Sequence, residues 1–227
     1  MTDILTPLIN RITCADCMDV LKGLPDKCID LIVTDPPYGI GVGKKTCIYD
    51  GKKHGNSKAH RAEYAEKSWD DQIPAKEIFD EMFRVAKNQI IFGGNYFVEY
   101  LKNSPCWIVW DKVNGDNDFA DCELAWTSFS SAVRKYEFMW SGMLQQNMAN
   151  KEVRIHPTQK PADLIGQIIR DYSKPEDIIM DPFSGSGSTA IACHRLGRQF
   201  ICIEKDPEYA DASSERLNEE CQQLKLF

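Results

Sequence analysis

The sequence lacks long hydrophobic runs, a basic leader and any excess of positive charge. No stretch approaches the roughly 18 consecutive apolar residues of a membrane-spanning helix. The opening Met1-Thr2-Asp3-Ile4 carries no basic segment, so we expect no secretory signal and a cytoplasmic protein. With 27 basic and 34 acidic residues the net charge is −7, which disfavours a protein that coats nucleic acid through its bulk charge. These absences leave a globular chain, in which 43% of residues are hydrophobic and 27% are charged.

Cysteine is plentiful, but a convincing metal-binding pattern is missing from the sequence. Nine cysteines, an odd number in a chain without an export signal, indicate reduced thiols rather than a disulfide framework. Cys14 and Cys17 form a C-x-x-C pair, yet neither a second pair nor H-x-x-x-H follows. Zinc at this pair is the minor alternative, and two unligated thiols near a strand end are the main expectation. We therefore expect no metal in the chemistry.

Strand-like and helix-like segments alternate along the chain, which has neither internal repeats nor low-complexity tracts. Short apolar runs predict strands at 9–13, 28–34, 89–92, 106–110, around 124 and 133, at 177–180 and at 200–203. Apolar faces at helical spacing, with proline and glycine at the ends, predict helices at 18–24, from 74, at 161–172, at 188–196 and from 206. This alternation predicts an α/β protein, one domain over residues 1–227, whose sheet is covered by helices on both faces.

A glycine-rich turn, Asp181-Pro182-Phe183-Ser184-Gly185-Ser186-Gly187, lies between a predicted strand and a predicted helix. Glycine permits a tight turn and lets a ligand approach the backbone closely. Gly185, Gly187 and Ala190 also satisfy G-x-G-x-x-A, and Glu204 ends the next strand, so a nicotinamide or flavin site is an alternative. However, a carboxylate before the turn suits a cationic ligand better than a pyrophosphate, because an anion prefers an uncluttered helix N-terminus.

A second motif, Asp35-Pro36-Pro37-Tyr38, directly follows an apolar strand. Its two prolines stiffen the backbone and remove two N–H donors, which leaves a corner rich in hydrogen-bond acceptors. The Asp35 carboxylate and the Pro36 carbonyl are the acceptors, and the aromatic ring of Tyr38 lies beside them. Such a corner suits a flat ring that bears two N–H donors, namely the exocyclic amine of a nucleobase. The alternative interpretation is an ordinary turn at the end of a strand.

Together these motifs resemble those of the amino-methyltransferases of DNA. The segment 35–38 is similar to their catalytic D-P-P-Y motif, and 181–187 is similar to their S-adenosylmethionine loop, D-P-F-x-G-x-G. His156-Pro157-Thr158-Gln159-Lys160-Pro161 resembles the segment before that loop in the beta class. The resemblance spans residues 11–208 and implies a Rossmann-like methyltransferase sheet, circularly permuted so that the catalytic motif precedes the cofactor loop. It leaves little sequence for a separate target-recognition domain.

The resemblance also implies roles for particular residues. Asp35, Pro36, Pro37 and Tyr38 would be catalytic, and S-adenosylmethionine would donate the methyl group. The implied cofactor-binding residues are Asp16, Asp35, Lys160, Asp181, Pro182, Phe183, Ser184, Gly185, Ser186, Gly187, Thr189 and Glu204. Asp16 would accept from the cofactor's adenine amine and Glu204 from its ribose hydroxyls, while Asp181 would lie near its ammonium group and Lys160 would help to close the methionine end.

Only one further strand is predicted after the cofactor loop, so we expect strand 9–13 to complete that side of the sheet. Its carboxyl end would then bring Asp16 into the crevice at the carboxyl ends of the strands. His156 is expected to be a hydrogen-bonded structural residue rather than a titrating one.

Two polar segments, 41–69 and 130–155, are candidate insertions for contact with double-stranded DNA. Residues 41–67 contain seven basic and three acidic side chains beside the catalytic motif, which suits a phosphate backbone better than an ordinary solvated loop. The second segment is rich in amides, which suit base edges, and its Trp140 is expected to be core. The predicted DNA contacts are Lys44, Lys45, Lys52, Lys53, Arg61, Gln145, Gln146 and Asn147.

The sequence therefore predicts an adenine-N6 DNA methyltransferase that flips its target base out of the duplex. A cytosine-N4 or RNA base methyltransferase is the first alternative, although aspartate rather than serine at position 35 favours adenine by resemblance. A nicotinamide-dependent oxidoreductase is the alternative from another class, and it leaves 35–38 unexplained. A non-catalytic DNA-binding module is less favoured, because both chemical motifs are intact. The resemblance admits a homodimer, and no membrane contact is expected.

Overall fold

The computed structural model describes residues 4–42, 67–115, 120–141 and 144–223. The strands are β1 (Arg11–Cys14), β2 (Ile29–Thr34), β3 (Ala86–Phe92), β4 (Trp107–Asp111), β5 (Cys122–Thr127), β6 (Arg134–Glu137), β7 (Trp140–Ser141), β8 (Leu144–Gln145), β9 (Ile178–Asp181) and β10 (Gln199–Glu204). The helices are α1 (Cys17–Gly23), α2 (Lys76–Val85), α3 (Ala162–Tyr172), α4 (Ser188–Arg195) and α5 (Pro207–Gln223). A short 3-10 helix, Gly94–Tyr96, follows β3.

Eight strands form one sheet in the order β1-β10-β9-β2-β3-β5-β4-β6. The pairs from β1 to β3 are parallel, and β5 runs antiparallel to both of its neighbours, β3 and β4. β1 pairs with β10 and places Cys14 opposite Glu204, which confirms that the first strand completes this side of the sheet. β7 and β8 form a small separate ribbon. Circular permutation relative to other methyltransferases stays a prediction.

Helices cover both faces of the sheet, as predicted. Leu31 and Val33 of β2 pack into a core shared with α3 and α4, whereas Ile32 packs into a second core with α1 and α2. Successive side chains of a strand point to opposite faces, so a strand that is buried on both sides reads as a continuous apolar run. This is why β2, β3 and β10 were recognisable in the sequence.

Local capping decides where the elements begin. Asp16 accepts a hydrogen bond from the backbone N–H of Met18 at 2.9 Å and thereby caps α1, which begins one residue earlier than expected. Pro74 was expected to open α2, but the helix begins at Lys76 after extended backbone at Ala75.

No helix within the described ranges is both long and apolar enough to cross a membrane.

Candidate active site

A cavity of about 450 Å³ lies at the carboxyl ends of β1, β10, β9 and β2. Asp16, Asp35, Asp181 and Glu204 all lie on its wall, although they are far apart in sequence. Parallel strands bring their carboxyl ends to one edge, so the topology alone assembles these four carboxylates. Further predicted cofactor residues on the wall are Lys160, Pro182, Phe183, Ser184, Gly185, Ser186 and Thr189.

Asp35 is held by two donors. The Tyr38 hydroxyl donates to one carboxylate oxygen, and the Lys160 ammonium forms an ion pair with the other. Burial raises the pKa of the Asp35 carboxyl, and the positive charge of Lys160 opposes this effect. Burial works against the charge of Lys160 as well, but Asp35 and Glu123 together raise its pKa. Lys160 therefore contacts the D-P-P-Y motif, a contact that no local sequence pattern indicated.

The ring of Tyr38 is fixed by its neighbours. It stacks on Tyr96 with ring centroids 4.7 Å apart and an angle of 14° between the ring planes. Phe97 meets it edge-on, with centroids 6.0 Å apart. A Cβ on Gly93 would lie 2.1 Å from a carbon of this ring, and Gly93 also has a φ of +66°. The glycine is therefore required for the ring to occupy this place.

A buried carboxylate organises the backbone of the D-P-P-Y motif and of the residues that follow it. Asp70 is only 2% exposed, and its two oxygens accept hydrogen bonds from the N–H groups of Tyr38, Gly39 and Val42 at 2.7, 2.9 and 2.8 Å. Three hydrogen bonds to one carboxylate define the course of the chain directly after 35–38. Asp70 directly follows the segment 41–69 that is expected to contact DNA, and no sequence motif pointed to this role.

Asp181 is a buried carboxylate whose hydrogen bonds are internal. Its oxygens accept from the hydroxyls of Thr34 and Thr189, both at 2.7 Å, and from the N–H of Phe183 at 3.1 Å. Burial raises its pKa to about 6, and these hydrogen bonds oppose the rise. Asp181 thus connects the end of β2, the glycine-rich turn and the first turn of α4.

The other two carboxylates of the wall also have protein donors. Glu204 accepts from the N–H groups of Gly185 at 2.7 Å and Asp206 at 2.8 Å, and burial raises its pKa. Asp16 caps α1 and forms an ion pair with Lys205 at 2.8 Å, which lowers its pKa. A carboxylate offers about four acceptor positions, so each group retains capacity for a ligand donor.

The two glycines of the cofactor loop have different surroundings. Gly185 lies on the cavity wall and has a φ of +49°. Gly187 was expected to let a ligand approach its backbone, but it is not part of the wall. A Cβ there would lie 3.1 Å from both Ile12 and Ser213, and its φ is +74°. Gly187 is needed for the left-handed turn and for packing against β1 and α5, which corrects the expected reason.

His156 is a structural residue of the wall. Its Nδ1 accepts from the Thr158 N–H at 3.3 Å, and its ring packs against Trp69 and Tyr209. Burial lowers its pKa to about 4, so the imidazole is neutral at physiological pH. The hydroxyl of Ser184 is buried on the same wall.

The predicted DNA contacts are only partly within the structure. Lys44, Lys45, Lys52, Lys53 and Arg61, together with the rest of 43–66, lie outside the described residues. Gln145 is 7% exposed, and its amide binds the backbone N–H and carbonyl of Glu152, so this side chain is not available to a base edge, contrary to the prediction. Gln146 and Asn147 are exposed. Trp140 is buried in the core, as expected.

The fold and the cavity define a Rossmann-like α/β protein that binds its ligand at the carboxyl edge of a largely parallel sheet. Residues 109–215 match the DNA methylase family N6_N4_Mtase. The type II methyltransferase M.HpaI of Haemophilus parainfluenzae is 30% identical over 249 positions, covering 92% of this chain and 74% of the relative. M.HinfI of Haemophilus influenzae is 26% identical over 96% of this chain and 71% of the relative. The chain belongs to the amino-DNA methyltransferase family, whose members act on adenine N6 or cytosine N4.

Solved structures of similar fold include M1.HpyAVI in complex with S-adenosylmethionine, at a TM-score of 0.55 and 24% identity. This match covers 91% of the present chain and 98% of that one. The cytosine-N4-specific PvuII DNA methyltransferase matches at a TM-score of 0.56 and 18% identity, over 93% of this chain and 91% of that one.

Proposed function

We propose that the protein transfers a methyl group from S-adenosylmethionine to the exocyclic N6 amine of a flipped-out adenine in double-stranded DNA. The observation that carries this proposal is the position of Asp35, a half-buried carboxylate of a D-P-P-Y motif on the wall of the cavity. The aspartate that begins the motif supports adenine as the target. The nicotinamide alternative leaves this motif without a role.

The cavity fits the proposed cofactor. Its volume of about 450 Å³ lies within the usual range of small-molecule sites, roughly 300–1,000 Å³. Asp16, Glu204 and the buried hydroxyl of Ser184 would hold its polar groups, and Phe183 supplies an apolar surface. Asp181 would act mainly by shaping the turn, because Thr34, Thr189 and Phe183 already donate to it. S-adenosylmethionine, when bound, supplies an electrophilic methyl group on a positively charged sulfur.

Asp35 would act on the target amine through hydrogen bonding and charge. An adenine amine is a poor nucleophile because its lone pair is delocalised into the ring. A hydrogen bond to Asp35 directs that lone pair out of the ring plane, and the carboxylate stabilises positive charge that develops on nitrogen. After methyl transfer the nitrogen loses a proton, and the raised pKa of Asp35 suits this carboxylate to accept it. Extrusion of the base costs a few kcal/mol, and stacking on an aromatic ring such as Tyr38 returns about 1–3 kcal/mol.

The test is to express the protein in cells that lack DNA methylation and to measure methylated nucleosides by mass spectrometry. N6-methyladenine should appear with the wild type and be absent with Asp35→Ala. The variant should retain its calorimetric affinity for S-adenosylmethionine, because the substitution acts on the target amine. N4-methylcytosine in place of N6-methyladenine would contradict the choice of base, and methylation by Asp35→Ala at the wild-type rate would contradict the role of Asp35.

A further inference from the structure

A chain of alternating charges leads away from the catalytic carboxylate. Lys160 is paired with Asp35 on one side and with Glu123 on the other, where Nζ and Oε2 are 3.1 Å apart. Glu123 in turn pairs with Lys112 through its second oxygen at 2.6 Å. The side chains of Lys160, Glu123 and Lys112 are 9%, 22% and 17% exposed. Two carboxylates and two ammonium groups thus form a neutral row that is largely shielded from water.

Glu123 belongs to no motif of the reaction. It lies on β5, opposite Trp110 of β4, and it reaches the site because β5 pairs antiparallel with β3 next to the catalytic strand β2. A buried carboxylate is costly unless it is paired, and hydrophobic residues of similar volume often replace such pairs without loss of stability. Its position beside Lys160 therefore calls for a reason other than stability.

We propose that Glu123 is a positioning residue that divides the charge of Lys160 and thereby keeps Asp35 electron-rich enough to act on the target amine. With one carboxylate, the ammonium would neutralise Asp35 fully and hold it away from a new donor. With two carboxylates, Lys160 is shared, and Asp35 retains part of its negative charge. This inference rests on the proposed function, because it assigns Glu123 a part in the same methyl transfer.

The charged and titratable groups around Asp35 are Lys160, Glu123, Tyr38 and Asp181, with Lys112 behind Glu123. Glu123 raises the pKa of Asp35 and Lys160 lowers it. Methyl transfer requires the ionised carboxylate, so the rate should fall as the pH drops through the pKa of Asp35. Removing the charge of Glu123 should therefore move this acidic limb to lower pH, by roughly one pH unit for a neighbouring like charge.

The test compares single-turnover methyl transfer by the wild type, Glu123→Gln and Lys112→Gln as a function of pH, at saturating S-adenosylmethionine. Glu123→Gln should shift the acidic limb to lower pH and reduce the plateau rate about tenfold. Lys112→Gln leaves Glu123 more negative and should shift the limb to higher pH. The affinity for S-adenosylmethionine should be unchanged in both. Glu123→Asp, which keeps the charge, should restore most of the wild-type profile.

The matched control is Glu81→Gln, because Glu81 is also 22% exposed and ion-paired, with Arg84 on α2, away from the cavity. Its profile should equal that of the wild type. An acidic limb that stays in place in both Glu123→Gln and Lys112→Gln would overturn the inference while leaving the proposed function intact. If the wild type transfers no methyl group to DNA, the proposed function fails. Titration of the Asp35 carboxyl by carbon-13 NMR, in the wild type and both variants, then still decides whether Glu123 changes the pKa of Asp35.

Discussion

The buried carboxylate of Asp181 should make the protein less stable at neutral pH than it would be without this charge. Burial raises its pKa from the ordinary 3.8 to about 6, and its side chain belongs to a residue that is 5% exposed. A folded pKa above the unfolded one means that the folded state binds the proton more tightly. Protonation of Asp181 therefore stabilises the folded state fully below the unfolded pKa, and this stabilisation is lost as the pH rises through the folded pKa.

The perturbation is Asp181→Asn, which preserves the shape of the side chain. Its carbonyl oxygen can still accept from Thr34 and Phe183, and the hydroxyl of Thr189 can rotate to accept from the new amide. A difference of about two in pKa corresponds to roughly 3 kcal/mol at neutral pH, where the wild type must bury the charge. The free energy of unfolding of the variant, relative to the wild type, should therefore increase by about 2 kcal/mol between about pH 4.5 and pH 7.5.

The assay is urea unfolding followed by circular dichroism at both pH values, for the wild type, Asp181→Asn and an exposed control. Asp80→Asn, on the outer side of α2, should change the free energy of unfolding by less than about 0.5 kcal/mol at either pH. If the difference in free energy of unfolding between Asp181→Asn and the wild type were the same at both pH values, the pKa of Asp181 would not be raised by folding. A stabilised variant with weaker affinity for S-adenosylmethionine would indicate that the charge is retained for function.

Three further predictions concern the catalytic motif and DNA. Asp70→Asn removes one of the acceptors that hold 38–42, so kcat should fall at least tenfold while the calorimetric affinity for S-adenosylmethionine stays within about twofold. Gly93→Ala places a methyl group against Tyr38 at a positive φ, so it should destabilise the protein by about 1–2 kcal/mol in urea unfolding and reduce methyl transfer; wild-type activity would contradict the described ring position. Neutralising Lys52 and Lys53 together should weaken binding to cognate and unrelated duplexes alike. The slope of the logarithm of affinity against the logarithm of salt concentration should fall by about one for each lost phosphate contact. A loss of affinity for the cognate duplex alone would instead assign base reading to this segment.

The sequence by itself determined the α/β class, most of the elements and the presence of the two motifs. Buried strands such as β2 read as apolar runs, and the D-P-P-Y and D-P-F-x-G-x-G segments carry residue types that a local pattern can reveal. The expectation that β1 completes the sheet also followed from counting strands. The apolar runs and the motifs depend on residues that are neighbours in the chain, and the place of β1 followed from the number of strands that such a sheet requires.

Only the tertiary structure decided which distant side chains meet. Glu123 contacts Lys160 because β5 enters the sheet beside β3, and Asp70 reaches the backbone after Tyr38 across about 30 residues of chain. Gly187 proved to face Ile12 and Ser213 rather than the cavity, since the position of α5 determines that packing. Gln145, expected to read bases, is instead bound to the backbone of Glu152. Hydrogen bonds and ion pairs of this kind join residues that no local pattern relates, so they are specified only when the whole sheet has formed.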